Sequence, residues 1–319
     1  MRTIPCLAVA LLVTPAAEAQ DFPNRFVTIV SPFQAGGPSD TVARLIAGPM
    51  SKTLGQQVVV ENVTGAGGTI GSARVAKANP DGYTLEISGS GTHAAVEQLY
   101  ANPPYRALDF ESVGLVNTTP VVVVGKRDLP PNTFQELIAY LRANQKTVTE
   151  ADAGIGSVSQ LSCSVLHALI GVKPTIVSYR GTPQATQDVL GGNVDFLCNQ
   201  IVNIVEHVKS GQIKAYAVTG DTRSPMLPDV PTTAEAGLPD VRMETWFGLA
   251  GPPGLPKEIV ARITKDLAVI VKQPAFQDRL AKLGMAVDYK PDAEFIAFLA
   301  AETRRWRELI PAMGIEQVD

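Results

Sequence analysis

The strongest constraint in this sequence is an alternation: short β-branched runs are each followed by a glycine-rich turn and then by a helical pattern. FVTIV (26–30) gives way to SPFQAGGPSD (31–40) and TVARLIAGPMSKTL (41–54). QVVVENV (57–63) precedes TGAGGTIG (64–71) and a helix expected from Thr69 to Ala78, and TLEIS (84–88) precedes SGSGTH (88–93). Strands that alternate with helices pair in parallel through right-handed crossovers, so the expected fold class is α/β. The theme returns with TVTEADAG (147–154), a helix over about 159–169, TIVSY (175–179), VDFLCN (194–199) and IKAYAVTG (213–220). The architecture recurs without a sequence repeat.

Between the two halves, Val113 to Lys126 is one extended run, long enough to pass from one sheet into another and to serve as a hinge. After Gly220 the chain is proline-rich, then gives METWFGLAGPP and amphipathic helices expected over 256–272, 275–283 and 292–311. That tail is expected to return to the first lobe. A chain that enters a second lobe and comes back crosses twice and leaves a ligand cleft between the lobes. The expected division is 1–19 as signal peptide, 20–118 with 221–319 as lobe 1, and 119–220 as lobe 2.

In a parallel sheet every loop that follows a strand emerges at the carboxyl edge, where open α/β folds bind ligands. Five glycine loops meet that description: SPFQAGGPSD, TGAGGTIG, SGSGTH, AGIGSVSQ (153–160) and YRGTPQ (179–184). Glycine lets backbone N–H groups approach a ligand closely, and the helix starts that follow add unpaired donors and the positive end of a dipole. Gly37 suits a helix N-cap, Pro38 the first helical position, and Asp40 a first-turn acid that stabilises the helix. The bound species is therefore expected to be an anion. Neither of the first two loops carries the lysine of a nucleotide-binding loop, and TGAGGTIG departs from GxGxxG because position 70 is Ile70. Neutral donors, from the backbone and from Ser90, Thr92, Ser157 and Ser159, suit a carboxylate. Phe33, at a loop tip on the same edge, is expected to cover the ligand or the facing lobe.

Other classes fall away. The net charge of −4 and the lack of a polybasic run exclude nucleic acid or an anionic membrane surface as the main partner. Three histidines, His93, His167 and His207, occur without HExxH or a Cys/His cluster, so no metal and no cofactor is expected. GxSxG is absent, and an exported α/β hydrolase would need Ser90 or Ser157 as its nucleophile. His93 reads as a hydrogen-bonding group, His167 as packing on an apolar helix and His207 as solvated. Trp246 reads as core rather than as a ligand wall. No enzyme is expected.

The first residues contain Arg2, an apolar stretch from Leu7 to Val13, and the small-x-small site Ala17-Glu18-Ala19, which together predict a signal peptide cleaved after Ala19. Beyond it no apolar run reaches the ~18 residues of a membrane span, so the mature chain is not expected to be membrane-embedded. Export leaves Cys163 and Cys198 in an oxidising compartment, either as a disulfide or as two small buried thiols.

These residues carry a resemblance. PFxAGGxxD, the VVVEN-x-x-GAGG-x-IG block, ANPDGYTL, SYRGTPQA, LPDVPTTAEAGLP and WFGL stand together and in order through the mature chain, which resembles the tripartite tricarboxylate transporter substrate-binding proteins, the Bug family. The resemblance implies a type II periplasmic binding protein fold, a monomer whose two lobes close on a small organic carboxylate. It implies backbone donors from Phe33, Ala35, Gly36 and Gly37 and from Gly67, Gly68 and Thr69. Ser90, Thr92, His93, Gly156, Ser157, Ser159, Tyr179 and Gly181 would complete the pocket. The implied partner is a two-part membrane permease, with a membrane sensor kinase as the alternative receiver; the implied location is the periplasm. Two positions depart from the family pattern: Gln160 stands where histidine is frequent, and Asn199 where aspartate is common. With Asn199 in the cleft, the expected ligand shifts toward carboxylates without an amine.

Overall fold

The computed structural model describes residues 22–315, 317 and 318; the expected signal peptide lies outside them. The chain runs β1 (Val27–Ser31), α1 (Pro38–Leu54), β2 (Val58–Asn62), α2 (Thr69–Ala76) and β3 (Thr84–Gly89). A wide helical stretch, Ser90–Ala95, leads into α3 (Val96–Leu99) and then the long β4 (Glu111–Lys126). The middle of the chain follows as α4 (Phe134–Asn144), β5 (Thr149–Asp152), α5 (Val158–Ile170), β6 (Thr175–Ser178), α6 (Thr182–Leu190), β7 (Phe196–Gln200), α7 (Val205–Lys209) and β8 (Ile213–Val218). It ends with β9 (Glu244–Gly251), α8 (Lys257–Val271), α9 (Pro274–Ala281), β10 (Ala286–Pro291) and α10 (Asp292–Ala312).

α1 shows how local chemistry sets these boundaries. Gly37 caps its start in an extended conformation, Pro38 takes the first position, and Gly55 ends it in the left-handed region, its N–H donating to Ser51 O. Between them Val42, Ala43, Ile46, Ala47, Met50 and Leu54 make one apolar stripe. That stripe packs on Val27, Ile29, Leu85 and Ile87 of the sheet and on Ile263, Leu267 and Ile270 of α8.

β1 pairs in parallel with β2 and β3, and β5 in parallel with β6 and β7, as the alternation predicts. The two parallel groups are joined by antiparallel strands that periodicity does not reveal. β9 lies between β3 and β4, and β4 is shared: Glu111 to Pro120 pairs with β9, whereas Val121 to Lys126 pairs with β7 and β8. The extended run expected between sheets is therefore one continuous strand that changes partners at Pro120 and Val121.

The proline-rich segment after Gly220 packs differently from the sequence expectation. Leu227 and Val230 join Val122, Val218 and Ile204, while Ala236 and Val241 join Phe134, Phe196 and Tyr216. Residues 227–241 thus share the cores of the second half, and the chain begins to rejoin the first half just before β9, where Met243 packs with Ala94, Trp246 and Phe295. The contacts that decide this are long-range and leave no periodic trace in the segment itself.

Cys163 of α5 and Cys198 of β7 form a disulfide, with Cα atoms 5.5 Å apart. Both are fully buried among Leu137, Leu166 and Phe196. The bond ties the helix whose start enters the cleft to the strand whose end does the same.

Candidate ligand cleft

The loops at the carboxyl edges of both halves face one another across a cavity with about 480 Å³ of space unfilled by protein atoms, part of it open to solvent. The first half contributes Pro32, Phe33, Pro38, Ser39, Ile87, Gly89, Ser90, Gly91, Thr92 and, from β9, Phe247. The second contributes Ala153, Ser157, Val158, Ser159, Thr182 and Gln200. No ionisable side chain is among them.

Polarity comes instead from dipoles and hydroxyls. Pro38 and Ser39 begin α1, Ser157 caps α5 ahead of Val158 and Ser159, and Thr182 begins α6. Three helices of 17, 13 and 9 residues therefore aim their positive ends at one cavity. Hydrogen bonds hold the hydroxyls in place: Ser31 Oγ and Ser39 Oγ lie 2.9 Å apart, Ser157 Oγ and Ser159 Oγ 3.0 Å, and Asn203 Nδ2 donates to Thr182 Oγ1 over 2.6 Å. Ser159 Oγ accepts from Ala153 N and Ser90 Oγ from Trp246 N. The apolar remainder, Phe33, Ile87, Val158 and Phe247, gives a ligand body something other than water to touch.

Of the residues expected from sequence, Phe33, Ser90, Thr92, Ser157 and Ser159 line the cavity. Ala35 and Gly36 are exposed at the loop tip, and two of the four expected donors in this loop are already engaged: Gly36 N donates to Asp40 Oδ2 over 2.9 Å, and Gly37 N to Gln34 O over 3.1 Å. Asp40 is thereby more than a first-turn acid. It also accepts from Arg44 Nε and Asn62 Nδ2, and the same Asn62 amide donates to Phe33 O, so one buried carboxylate fixes the shape of the whole loop. Burial pushes the Asp40 carboxyl up, but hydrogen bonds from Arg44, Gly36 and Asn62 more than offset it and hold the group below its ordinary value.

Gly67, Gly68 and Thr69 are buried beside the cavity, Gly68 against the Phe33 ring and Thr92 methyl, with Thr69 Oγ1 donating to Ala66 O. Gly156 N donates to Gln160 Oε1, and Gly181 abuts Gln34 of the other half. Tyr179 turns onto α6, where its hydroxyl donates to Asp188 Oδ2; burial and that carboxylate push it up to about 12.

Asn199 does not reach the cavity. Its Nδ2 donates to Thr186 Oγ1 over 3.1 Å, and the cavity side of β7 belongs to Gln200. Successive strand residues face opposite ways, so the expected ligand preference cannot be carried by Asn199.

His93 also faces away, its Nε2 2.9 Å from Glu86 Oε1 in a buried cluster with Phe110 and Tyr105, whose hydroxyl donates to Thr92 O. His167 is more than packing: its Nε2 lies 2.6 Å from Glu150 Oε2, whose carboxyl burial pushes up although His167 opposes the shift. Among the described residues, Glu150, Cys163 and His167 bring donor atoms within 4.8 Å of one another. The sulfur of Cys163 is committed to its disulfide, so only two of these groups are free to ligate and a structural metal site does not follow.

Sequence reasoning missed Ser39, Thr182, Gln200 and Phe247. The first two are helix-start residues that the loop argument alone would have reached. Phe247 follows Trp246, which is core as expected, 1% exposed and packed edge-on against Phe295 and Phe298; the strand's alternation then sends Phe247 to the cavity.

A family described as tripartite tricarboxylate transporter family receptor matches residues 42–315. The chain belongs to this family. Among solved structures it is similar to the periplasmic binding protein BugD, with a TM-score of 0.90 and 40% identity over 93% of this chain and 100% of that one. It is similar to MatC from Rhodopseudomonas palustris with bound malate, with a TM-score of 0.87 and 41% identity over 91% of this chain and 100% of MatC. A second R. palustris protein, solved with adipate, gives a TM-score of 0.89 and 31% identity over 93% and 100% of the two chains. The fold is the mixed α/β fold of periplasmic binding proteins, and this receptor is a binding protein rather than an enzyme. No helix among the described residues is long and apolar enough to cross a membrane.

Proposed function

We propose that this receptor, exported by the N-terminal signal peptide of residues 1–19 into the periplasm, captures a small organic carboxylate and delivers it to the membrane subunits of a tripartite transporter. The observation that carries the reading is a cavity without one ionisable lining residue onto which three helix N-termini converge. Such a site stabilises an anion by many fixed partial charges and releases it again, because no full counter-charge is buried with it. Malate and adipate, bound in the two similar proteins, fit this chemistry. The lobes that close on the ligand are residues 20–118 with the chain from β9 onward, and 119–220 extended to about 241 by the shared cores.

The neutral lining also defines what is refused. A ligand ammonium would find no carboxylate among the lining residues, which favours acids without an amine. Thermal unfolding of the mature chain against mono-, di- and tricarboxylates tests the reading. A ligand at ~100 times its Kd adds about 2.7 kcal/mol of stability. An upward shift of Tm with malate or another amine-free acid, and none with aspartate or glutamate, is expected. A flat response to every carboxylate overturns the proposal.

A further inference from the structure

Resting on the reading of the cleft as a closing ligand site, we infer that Gly67 and Gly91 position the closed state as two seats for the backbone of the opposite half. A Cβ on Gly67 would lie 1.7 Å from Ile155 O, and a Cβ on Gly91 2.0 Å from Gly156 O. These approaches are far inside van der Waals contact. The atoms they meet decide the argument: the three nearest to Gly67 are Ile155 O, Ile155 C and Ser157 N, and the three nearest to Gly91 are Gly156 O, Gly156 C and Ser157 Cα. All belong to the second half. Neither glycine is crowded first by its own lobe, so the conflict a side chain would create arises when the lobes meet.

The two seats flank one short segment, Ile155–Ser157, which runs directly into α5 and presents Ser157 to the cavity. Docking its carbonyls against Gly67 and Gly91 fixes where the α5 N-terminus stands relative to Ser90 and Thr92. Behind the seats the halves share apolar contacts, Ala94, Ala95 and Leu99 of the first with Leu161 and Val165 of the second, which pull the segment in once it fits. Ligand capture is thus made sensitive to two residues that contribute no side chain to the site.

Gly91 is the cleaner test because its φ lies outside the left-handed region, so alanine adds the clash without backbone strain. Gly67 has φ +59°, where asparagine is tolerated, so Gly67→Asn adds the same obstruction at the other seat and serves if the first variant fails to fold. Ile155→Ala is the counterpart: it removes an exposed side chain and keeps the carbonyl.

Spin labels on cysteines replacing exposed Lys52 of α1 and Gln187 of α6 report the distance between halves by pulsed electron resonance, with and without malate. The wild type is expected to populate the short distance of the present structure. Gly91→Ala and Gly67→Asn are expected to lose that population, and Ile155→Ala to keep it. The inference is overturned if either glycine variant closes like wild type, if Ile155→Ala also stays open, or if the wild type never shows the short distance. Loss of closure in the glycine variants together with a wild-type distribution that malate leaves unchanged would support the seats while counting against malate as ligand.

Discussion

Asn199 Nδ2 donates to Thr186 Oγ1 over 3.1 Å on the α6 side of β7, while the next residue, Gln200, lines the cavity between the halves. Gln200→Ala removes a polar cavity group and is expected to weaken carboxylate binding about tenfold, ~1.4 kcal/mol. Asn199→Asp places a carboxylate in a fully buried position away from the ligand. It is expected to lower Tm without conferring aspartate or glutamate binding. Calorimetric titration of both variants separates the two effects.

The Asp40 network gives a stability prediction with a pH signature. Asp40→Ala leaves the Gly36 N–H and the Asn62 amide without their shared acceptor and is expected to cost about 1–3 kcal/mol. For Asp40→Asn the sign follows from linkage. A carboxyl held below its ordinary value contributes stability that is present above the unfolded value of about 3.9 and is lost as pH falls through the lower folded one. Denaturant melts of wild type and Asp40→Asn should therefore differ at neutral pH and converge below about pH 4.

How much of this was legible in the sequence depends on the range of the interactions involved. α1 could be read because Gly37, Pro38 and its apolar stripe are local signals, and the helix ends fall where they place them. Ser157 and Ser159 could be read because a strand, a glycine turn and a helix start follow one another in the chain. The antiparallel insertion of β9 was hidden because its partners are remote, Pro120 for Glu244 and Gly89 for Phe247. The attachment of the segment after Gly220 was hidden because that stretch has no periodicity of its own and is held by packing on Val218 and Ile204 as well as on distant Val122. The choice between Asn199 and Gln200 turns on strand register, where a shift of one residue exchanges the faces. Gly36 and Gly37 matched the pattern of ligand donors, but their N–H groups satisfy acceptors within four residues of themselves.

The disulfide predicts a large stability effect at a distance from the ligand. Cys163 and Cys198 are 35 positions apart, and a bridge over such a loop typically contributes ~2–4 kcal/mol. The double variant Cys163→Ala/Cys198→Ala is expected to lower Tm by about 2–4 °C per kcal/mol lost. Because both sulfurs are buried, a reductant should leave the native protein unchanged and act only when added with denaturant. Free-thiol assays with and without denaturant check that order of events.

Phe33 gives the last prediction, a kinetic one. Its ring is half-buried, touches the cavity from the first half and rests against Gly68, where a Cβ would stand 2.9 Å from Cζ. Its backbone is held independently by Asn62 Nδ2 at Phe33 O, so truncating the ring leaves the loop in place. Phe33→Ala is thus expected to open a path for water and ligand without removing a hydrogen-bonding group. Losing about half of a buried aromatic side chain corresponds to ~1 kcal/mol, roughly a fivefold weaker Kd. The change should fall on koff, with kon close to wild type, because encounter occurs with the cleft open and the ring matters once it has closed. Stopped-flow measurements with a carboxylate that stabilises the wild type decide this. Phe33→Leu should recover most of the lost residence time, since an apolar cover is what the position supplies. An equal fall in kon would instead assign Phe33 to the initial docking of the ligand.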